Sequence, residues 1–441
     1  AEDAEYYTSQ GYPVTALVGV DGCEKTFEAY LRGMEGEMLI TEDEAGNAVN
    51  VEIVKDAVAG KDVYLTIDIE LQIAAEDALK KNIEDINLKA AENDKELDGE
   101  DADSGALVVQ SASGGEILAI ASYPTYDLST FGADYNELIK DSRKPLFNRA
   151  LQGTYAPGST FKVGVALAAL CEQTRMADGA PFGASTLIKT TGKYTFYDDY
   201  QPTCWIYTDK YKGNHGSLNV SKAIQVSCNC FFYEVGRLLG IDNINKYCKM
   251  YGLGQPTGIE LPEASGILAD SKYKQSTGHG VWTGGDTIAT AIGQAYNQFT
   301  PVQIANYVST IVNGGTRYSA HLLHSVKSFS GESVYTYEDV VLDKLTVSQR
   351  NYKTIVEAMS SVIEDGSASK EFAKFPIPIG GKTGTAQISR NQSNNAVFVA
   401  FAPLDKPEIV VSCVIERGAK GLNAAQSVRT AMECYFGLGQ W

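Results

Sequence analysis

Residues 159–173 read as a helix with no polar face: Val163, Val165, Leu167 and Leu170 leave it apolar nearly all round. A helix of this kind is enclosed by other elements inside a large domain. With 441 residues the chain has the length for one, as two or three domains or as one large domain with an appendage. The apolar run itself, residues 163–171, falls far short of the ~20 residues that span a bilayer.

The flanking sequence supplies the enclosure. Residues 1–62 are short segments rich in glycine and acid, too small for a core of their own. Residues 63–67 alternate and are β-branched, which predicts a strand. Asp68 then caps a helix over about 69–92. Acids crowd residues 92–103, a solvated loop or helix end. Residues 105–110 and 116–122 are apolar strands around Ser113-Gly114-Gly115, a hairpin signal. Residues 174–215 predict loops and short strands, and 220–239 one or two helices. In Thr300-Pro301-Val302-Gln303 the threonine caps a helix, proline takes its first position and glutamine returns to the cap; Asn313-Gly314-Gly315 stops it. Strands over 377–388, 395–402 and 408–416 precede a closing helix, 423–436. This order predicts an α+β fold, an antiparallel sheet packed with helices. We place the boundaries at 1–62 for a small N-terminal domain and 63–441 for the main one.

Composition narrows the function. Lys+Arg 37 against Asp+Glu 55 leaves a net charge of −18. So acidic a chain has no general attraction for nucleic acid. The four histidines form no HxxxH pair, and the eight cysteines form no CxxC. Zinc hydrolysis, a zinc ribbon and a thioredoxin-type site are therefore not expected, nor is a metal or other cofactor. Cys228 and Cys230, one residue apart, read as ordinary buried thiols. The chain begins Ala1-Glu2-Asp3, which reads as a processed or truncated start.

Three short motifs carry chemistry. Ser159 and Lys162 lie one turn apart on one helix face. Pro157-Gly158 puts Ser159 at the helix N-terminus, where free N–H groups favour an oxyanion. A serine hydroxyl needs a base to become a nucleophile. A lysine buried against this apolar helix has a depressed pKa and can be that base. The pattern recurs at Ser271–Lys274 and Ser367–Lys370 in polar contexts, and a helix cap with a snorkelling lysine explains it equally well. Ser227 and Asn229 are two polar side chains inside an apolar stretch, which need a polar network or a cleft. Lys382-Thr383-Gly384 lies on a predicted strand. There Lys382, Thr383 and Thr385 offer charge and hydroxyls to a carboxylate, and Gly384 leaves room for a neighbour. A phosphate-binding loop would need glycine at 376, which is proline.

Together, SxxK, SxN and KTG in this order are far more specific than any one of them. The set occurs in class A β-lactamases and penicillin-binding proteins, with Asp at the middle position that Cys228 takes here. The chain resembles the class B penicillin-binding proteins over about residues 15–436. Asn148-Arg149-Ala150 and residues 153–162 resemble the family's nucleophile segment. Leu65-Thr66-Ile67-Asp68 with Leu71-Gln72 resembles the start of its transpeptidase domain. Gly293-Gln294, residues 300–303 and Asn313-Gly314-Gly315 fit as well. Trp282 with Gly285-Asp286-Thr287 resembles the elongation-type members.

The resemblance implies a penicillin-binding, serine β-lactamase-like fold on the last part of an N-terminal pedestal. It implies a D,D-transpeptidase that cross-links peptidoglycan stem peptides through an acyl-enzyme on Ser159. Lys162 is then the base, and the N–H groups of Ser159 and Thr385 form the oxyanion hole. Ser227 relays a proton and Asn229 orients Lys162 and the substrate amide. Lys382, Thr383, Gly384 and Thr385 bind the donor's terminus. Stem peptides, the lipid-linked precursor, β-lactam antibiotics and a membrane glycosyltransferase are the implied partners. An N-terminal anchor absent from these residues would hold the protein on the outer face of the cytoplasmic membrane. A β-lactamase and a β-lactam-sensing receptor are the alternatives. The former needs a group that activates water, and no Glu-x-x-Leu-Asn follows Ser227.

Overall fold

The computed structural model describes residues 2–13, 15–93 and 97–439. Residues 94–96 of the acidic stretch lie outside the described residues. The chain divides into two units: residues up to Thr66 with His321–Glu338, and Ile67–Ala320 with the remainder from Asp339.

The second unit is organised by one antiparallel sheet. Its strands are β1 (Ser104–Ser111), β2 (Ile117–Tyr123), β3 (Gly380–Ala386), β4 (Asn395–Ala402) and β5 (Ile409–Glu416), in the order β3-β4-β5-β1-β2. The register places Lys382 opposite Val399, Val399 opposite Ser412 and Ser412 opposite Val108. All of β4 is buried, and so are all of β1 and β5 but their last residues. Strands covered on both faces read as continuous apolar runs, as Ala396 to Ala402 does.

Helices supply the cover. They are α1 (Ile69–Asn93), α2 (Lys162–Glu172), α3 (Val220–Gln225), α4 (Asn229–Leu239), α5 (Ile241–Met250), α6 (Pro301–Val312), α7 (Gln349–Glu364) and α8 (Ala425–Tyr435). Asp68 Oδ1 accepts from the N–H groups of Glu70 and Leu71 and so caps α1. α1 and α8 pack together on the sheet, and α6 packs on β5 and β1. The capping box of α6 is complete: Gln303 N–H donates to Thr300 Oγ1 (3.2 Å) and Thr300 N–H to Gln303 Oε1 (3.0 Å).

The apolar helix lies where its composition requires. Residues 162–170 of α2 are all buried, among α3, α4, α5 and α7. Burying each of its large aliphatic side chains is worth about 1.5–3 kcal/mol. The expected helix start at Ser159 is corrected: Gly158–Phe161 is a 3₁₀ turn, and the α-helix proper opens at Lys162.

In the first unit, Glu37–Glu42 pairs with Ala48–Lys55 in an exposed hairpin that the glycine- and acid-rich reading of residues 1–62 missed. Asp62–Leu65 joins Leu323–Lys327 and Ser333–Thr336 in a second sheet. The core of this unit is Phe27, Leu323 and Val326. Among the described residues, no helix is long and apolar enough to cross a membrane.

Candidate active site

The nucleophile turn is held backbone to backbone. Gly158 has φ +53° and donates its N–H to Gly293 O (2.9 Å). Gly293 is itself left-handed at φ +74°, and a side chain there would strike Gly158 O. On the other side, a Cβ on Gly384 would stand 2.7 Å from Pro157 O. Gly384 thus makes room for the chain's own turn. Thr160 Oγ1 closes the turn by donating to Pro157 O (2.7 Å). Ser159 is half-buried and lines a cleft of about 1040 Å³, together with Ser227, Asn229, Thr383 and Thr385.

Lys162 lies behind that lining, fully buried. Its Nζ donates to Ser227 O (2.9 Å) and Asn229 Oδ1 (2.6 Å) and lies 3.3 Å from Ser227 Oγ. All three are uncharged oxygens. Burial pushes the amine down to about 8, while the sulfurs of Cys204, Cys228 and Cys230 pull it partly back up.

Ser227 reaches this position through a left-handed backbone, φ +51°. It follows α3, with Ser227 N–H bonded to Ile224 O and Cys228 N–H to Ala223 O. Glycine usually fills such a post-helical position, because a left-handed residue with a side chain costs ~1–2 kcal/mol. Here the hydroxyl is retained, and it meets a second amine: Lys382 Nζ donates to Ser227 Oγ (3.0 Å) and to Thr383 O (3.1 Å). Lys382 is fully buried too. Burial first, and then the Lys162 charge, push its pKa well below the usual lysine range. Asn229 opens α4, its side chain on Lys162 and its N–H on Cys204 Sγ (3.3 Å).

Sequence reasoning missed several neighbours. Ser367 Oγ pairs with Thr383 Oγ1 (3.0 Å). In the sequence Ser367 shows only as part of the Ser367–Lys370 recurrence in a polar context. Gly421 N–H donates to Thr385 Oγ1 (3.0 Å) and Gln294 Nε2 to Thr385 O (3.1 Å). Their only signal in the sequence is Gly293-Gln294, which resembles a family segment.

Cys228 and Cys230 are buried thiols as expected, and the fold brings two further residues to Cys228. Cys204 Sγ lies 3.6 Å from His215 Nδ1 and 3.9 Å from Cys228 Sγ. These three ligand atoms all fall within 4.8 Å of one another. Hydrogen bonding from Cys228 and Cys230 lowers the Cys204 pKa, and the same contacts raise theirs. Two thiols and an imidazole this close together suit a borderline-soft divalent cation such as zinc. Spacing along the chain hid this set, because the fold brings in Cys204 and His215. Cys171, Cys204, Cys228, Cys230, Cys248, Cys413 and Cys434 form no disulfide.

Residues 105–433 match the penicillin-binding protein transpeptidase domain, and residues 1–65 the penicillin-binding protein dimerisation domain. The peptidoglycan D,D-transpeptidase MrdA of Acinetobacter baumannii is 31% identical over 445 residues, which cover 96% of this chain and 61% of the relative. The chain spans about three fifths of the length of the curated relatives it matches. Among solved structures, a chain from a study titled structural coordination of polymerization and crosslinking by a peptidoglycan synthase complex is similar. It aligns at TM-score 0.85 and 30% identity, covering 98% of this chain and 73% of that one. The chain from the complex of PBP2 with MreC from Helicobacter pylori aligns at TM-score 0.80 and 25% identity, covering 99% and 75%. The chain therefore belongs to the penicillin-binding protein transpeptidase family, as a class B member related to the elongation-type enzymes.

Proposed function

We propose that this chain is a serine D,D-transpeptidase that cross-links peptidoglycan stem peptides and is covalently inhibited by β-lactams. One observation carries the reading: a buried lysine amine one turn from a cleft-lining serine, bonded only to uncharged oxygens. A neutral amine has two N–H groups and one lone pair. Ser227 O and Asn229 Oδ1 occupy the N–H groups, which leaves the lone pair for a hydroxyl proton.

In the first half-reaction Ser159 Oγ bonds to the penultimate D-Ala carbonyl carbon as Lys162 takes its proton. The N–H groups of Ser159 and Thr385 hold the oxyanion, each such donor worth about 3 kcal/mol. The carbon–nitrogen bond then breaks, and the departing D-Ala amine takes a proton through Ser227. In the second half an acceptor amine attacks the ester, the bond to Ser159 breaks, and the proton returns to its oxygen. Asn229 orients Lys162 and the substrate amide. Thr383, Gly384 and Thr385 take the donor's end. Burial and the Lys162 charge push the Lys382 pKa down, and an arriving carboxylate opposes both, so donor binding favours the charged form of this lysine.

We place the enzyme on the outer face of the cytoplasmic membrane, where the lipid-linked precursor is delivered. Similarity to a chain of a peptidoglycan synthase complex supports a membrane glycosyltransferase as its partner. The test is mass spectrometry after exposure to penicillin. One adduct per chain is expected, mapped to Ser159 and absent in Ser159→Ala. A D-Ala-D-Ala thioester with a D-amino acid then yields an exchange product. Rapid release of penicilloate would mark a β-lactamase instead, and an adduct without exchange would mark a sensor.

A further inference from the structure

The join between the nucleophile's 3₁₀ turn and α2 lacks one regular hydrogen bond. In a continuous α-helix the Gly164 N–H would donate to Thr160 O, four residues back. Here α2 begins only at Lys162, and Gly164 N–H donates to the Tyr307 hydroxyl (2.7 Å). That hydroxyl in turn donates to Thr160 O (3.2 Å). One phenol oxygen therefore bridges the two groups that would otherwise bond each other.

The surroundings are shaped for this bridge. Tyr251 Oη donates to Gly164 O (3.2 Å). The two tyrosine rings stand 5.5 Å apart at 54°, both almost completely buried. A Cβ on Gly164 would meet both rings at 3.0 Å and the Tyr307 hydroxyl at 3.1 Å, so glycine is what admits them. Tyr307 rides on α6, whose start the Thr300–Gln303 capping box fixes. Burial raises the Tyr307 pKa, which keeps the proton that Thr160 O accepts.

The turn type matters for the chemistry. In a 3₁₀ turn the side chains at i and i+3 eclipse, and in an α-helix they are about 60° apart; Lys162 N–H donates to Ser159 O, three residues back, the 3₁₀ pattern. We propose that Tyr307 is a positioning residue for acyl transfer: its hydroxyl keeps the direct Thr160–Gly164 bond open, holds the nucleophile turn in the 3₁₀ form and so aligns Ser159 with Lys162. The proposal rests on the reading of Ser159 as nucleophile and Lys162 as base.

Stopped-flow acylation by a chromogenic cephalosporin separates the rate constant of the chemical step from the dissociation constant of the non-covalent complex. Tyr307→Phe keeps the ring and deletes the bridge. Its chemical step should slow by about 100-fold, the scale of a misplaced reacting group, while non-covalent binding stays within about two-fold of wild type. A chemical step within about two-fold of wild type in folded Tyr307→Phe overturns the proposal. So does an equal loss in both constants, which a merely structural role would produce. Where Tyr307→Phe does not fold, Gly164→Ala decides. Alanine is the better helix former, yet its Cβ pushes the hydroxyl away. A slowed chemical step supports the bridge, and a wild-type rate overturns it. Failure of the underlying reading is a different result: no adduct on the wild-type protein, or an adduct that persists in Ser159→Ala.

Discussion

Asn229→Asp turns one of the neutral oxygens around Lys162 into a carboxylate with almost no change of shape. The amide oxygen it replaces lies 2.6 Å from Nζ. A charge pair about 4 Å apart gains about 4 kcal/mol at an effective dielectric of 20, which is about three pK units. Lys162, held at about 8 by burial, would then titrate at about 11. The active form is the neutral amine. In the wild type about one molecule in ten carries it at pH 7, against about one in ten thousand in the variant. Acylation at pH 7 should fall by about 1000-fold. The assay is the second-order rate of acylation by a fluorescent penicillin, measured from pH 6 upwards. Wild-type rates should climb about tenfold per pH unit and level off above about 8; the variant should still be climbing at the alkaline end. A wild-type profile with no limb near 8 would refute the neutral-amine reasoning. So would a variant whose profile is lowered but keeps the wild-type midpoint.

Three other outcomes can be checked. Ser227→Gly and Ser227→Ala both lose the hydroxyl and both should fail to acylate, but glycine relieves the φ +51° backbone; Ser227→Gly should be the more stable by about 1 kcal/mol in urea unfolding. Arg149 is buried, with its Nε on Glu416 (2.9 Å), which also accepts from the Tyr155 hydroxyl (2.8 Å); Glu416→Ala leaves that guanidinium without its carboxylate and should cost about 3–5 kcal/mol of stability, Glu416→Gln less. Protein equilibrated with zinc and desalted should carry one ion per chain by elemental mass spectrometry, and Cys204→Ser and His215→Ala should lose it; retention by both variants would exclude the cluster.

Much of the site was legible because its signals are local. The apolar run behind Lys162, the capping box of α6 and the paired Ser227 and Asn229 each announce themselves within a few residues. The burial of Lys162 followed from the same run. What was not legible depends on contacts between distant segments. Ser367 is unremarkable in its own context and acquires a partner only where α7's following loop meets β3. Cys204 and His215 give no motif with Cys228 until the loops over 174–215 fold back. The 3₁₀ turn could not be separated from α-helix, because Tyr307 lies far along the chain. The strands of Glu37–Glu42 and Ala48–Lys55 are exposed throughout; the alternation of Val49, Val51 and Ile53 with Asn50 and Glu52 is a strand signal, which a reading of residues 1–62 by their glycine and acid content passes over.

The first unit completes its core with Leu323 and Val326 from His321–Glu338. Its blueprint is thus written in two separate stretches of the gene. Recombination that swapped only the leading stretch between two relatives would transplant half of a packing arrangement. The exchange that respects it needs two crossovers downstream as well, one on each side of 321–338. Such a unit diversifies by coordinated point changes more readily than as a movable cassette.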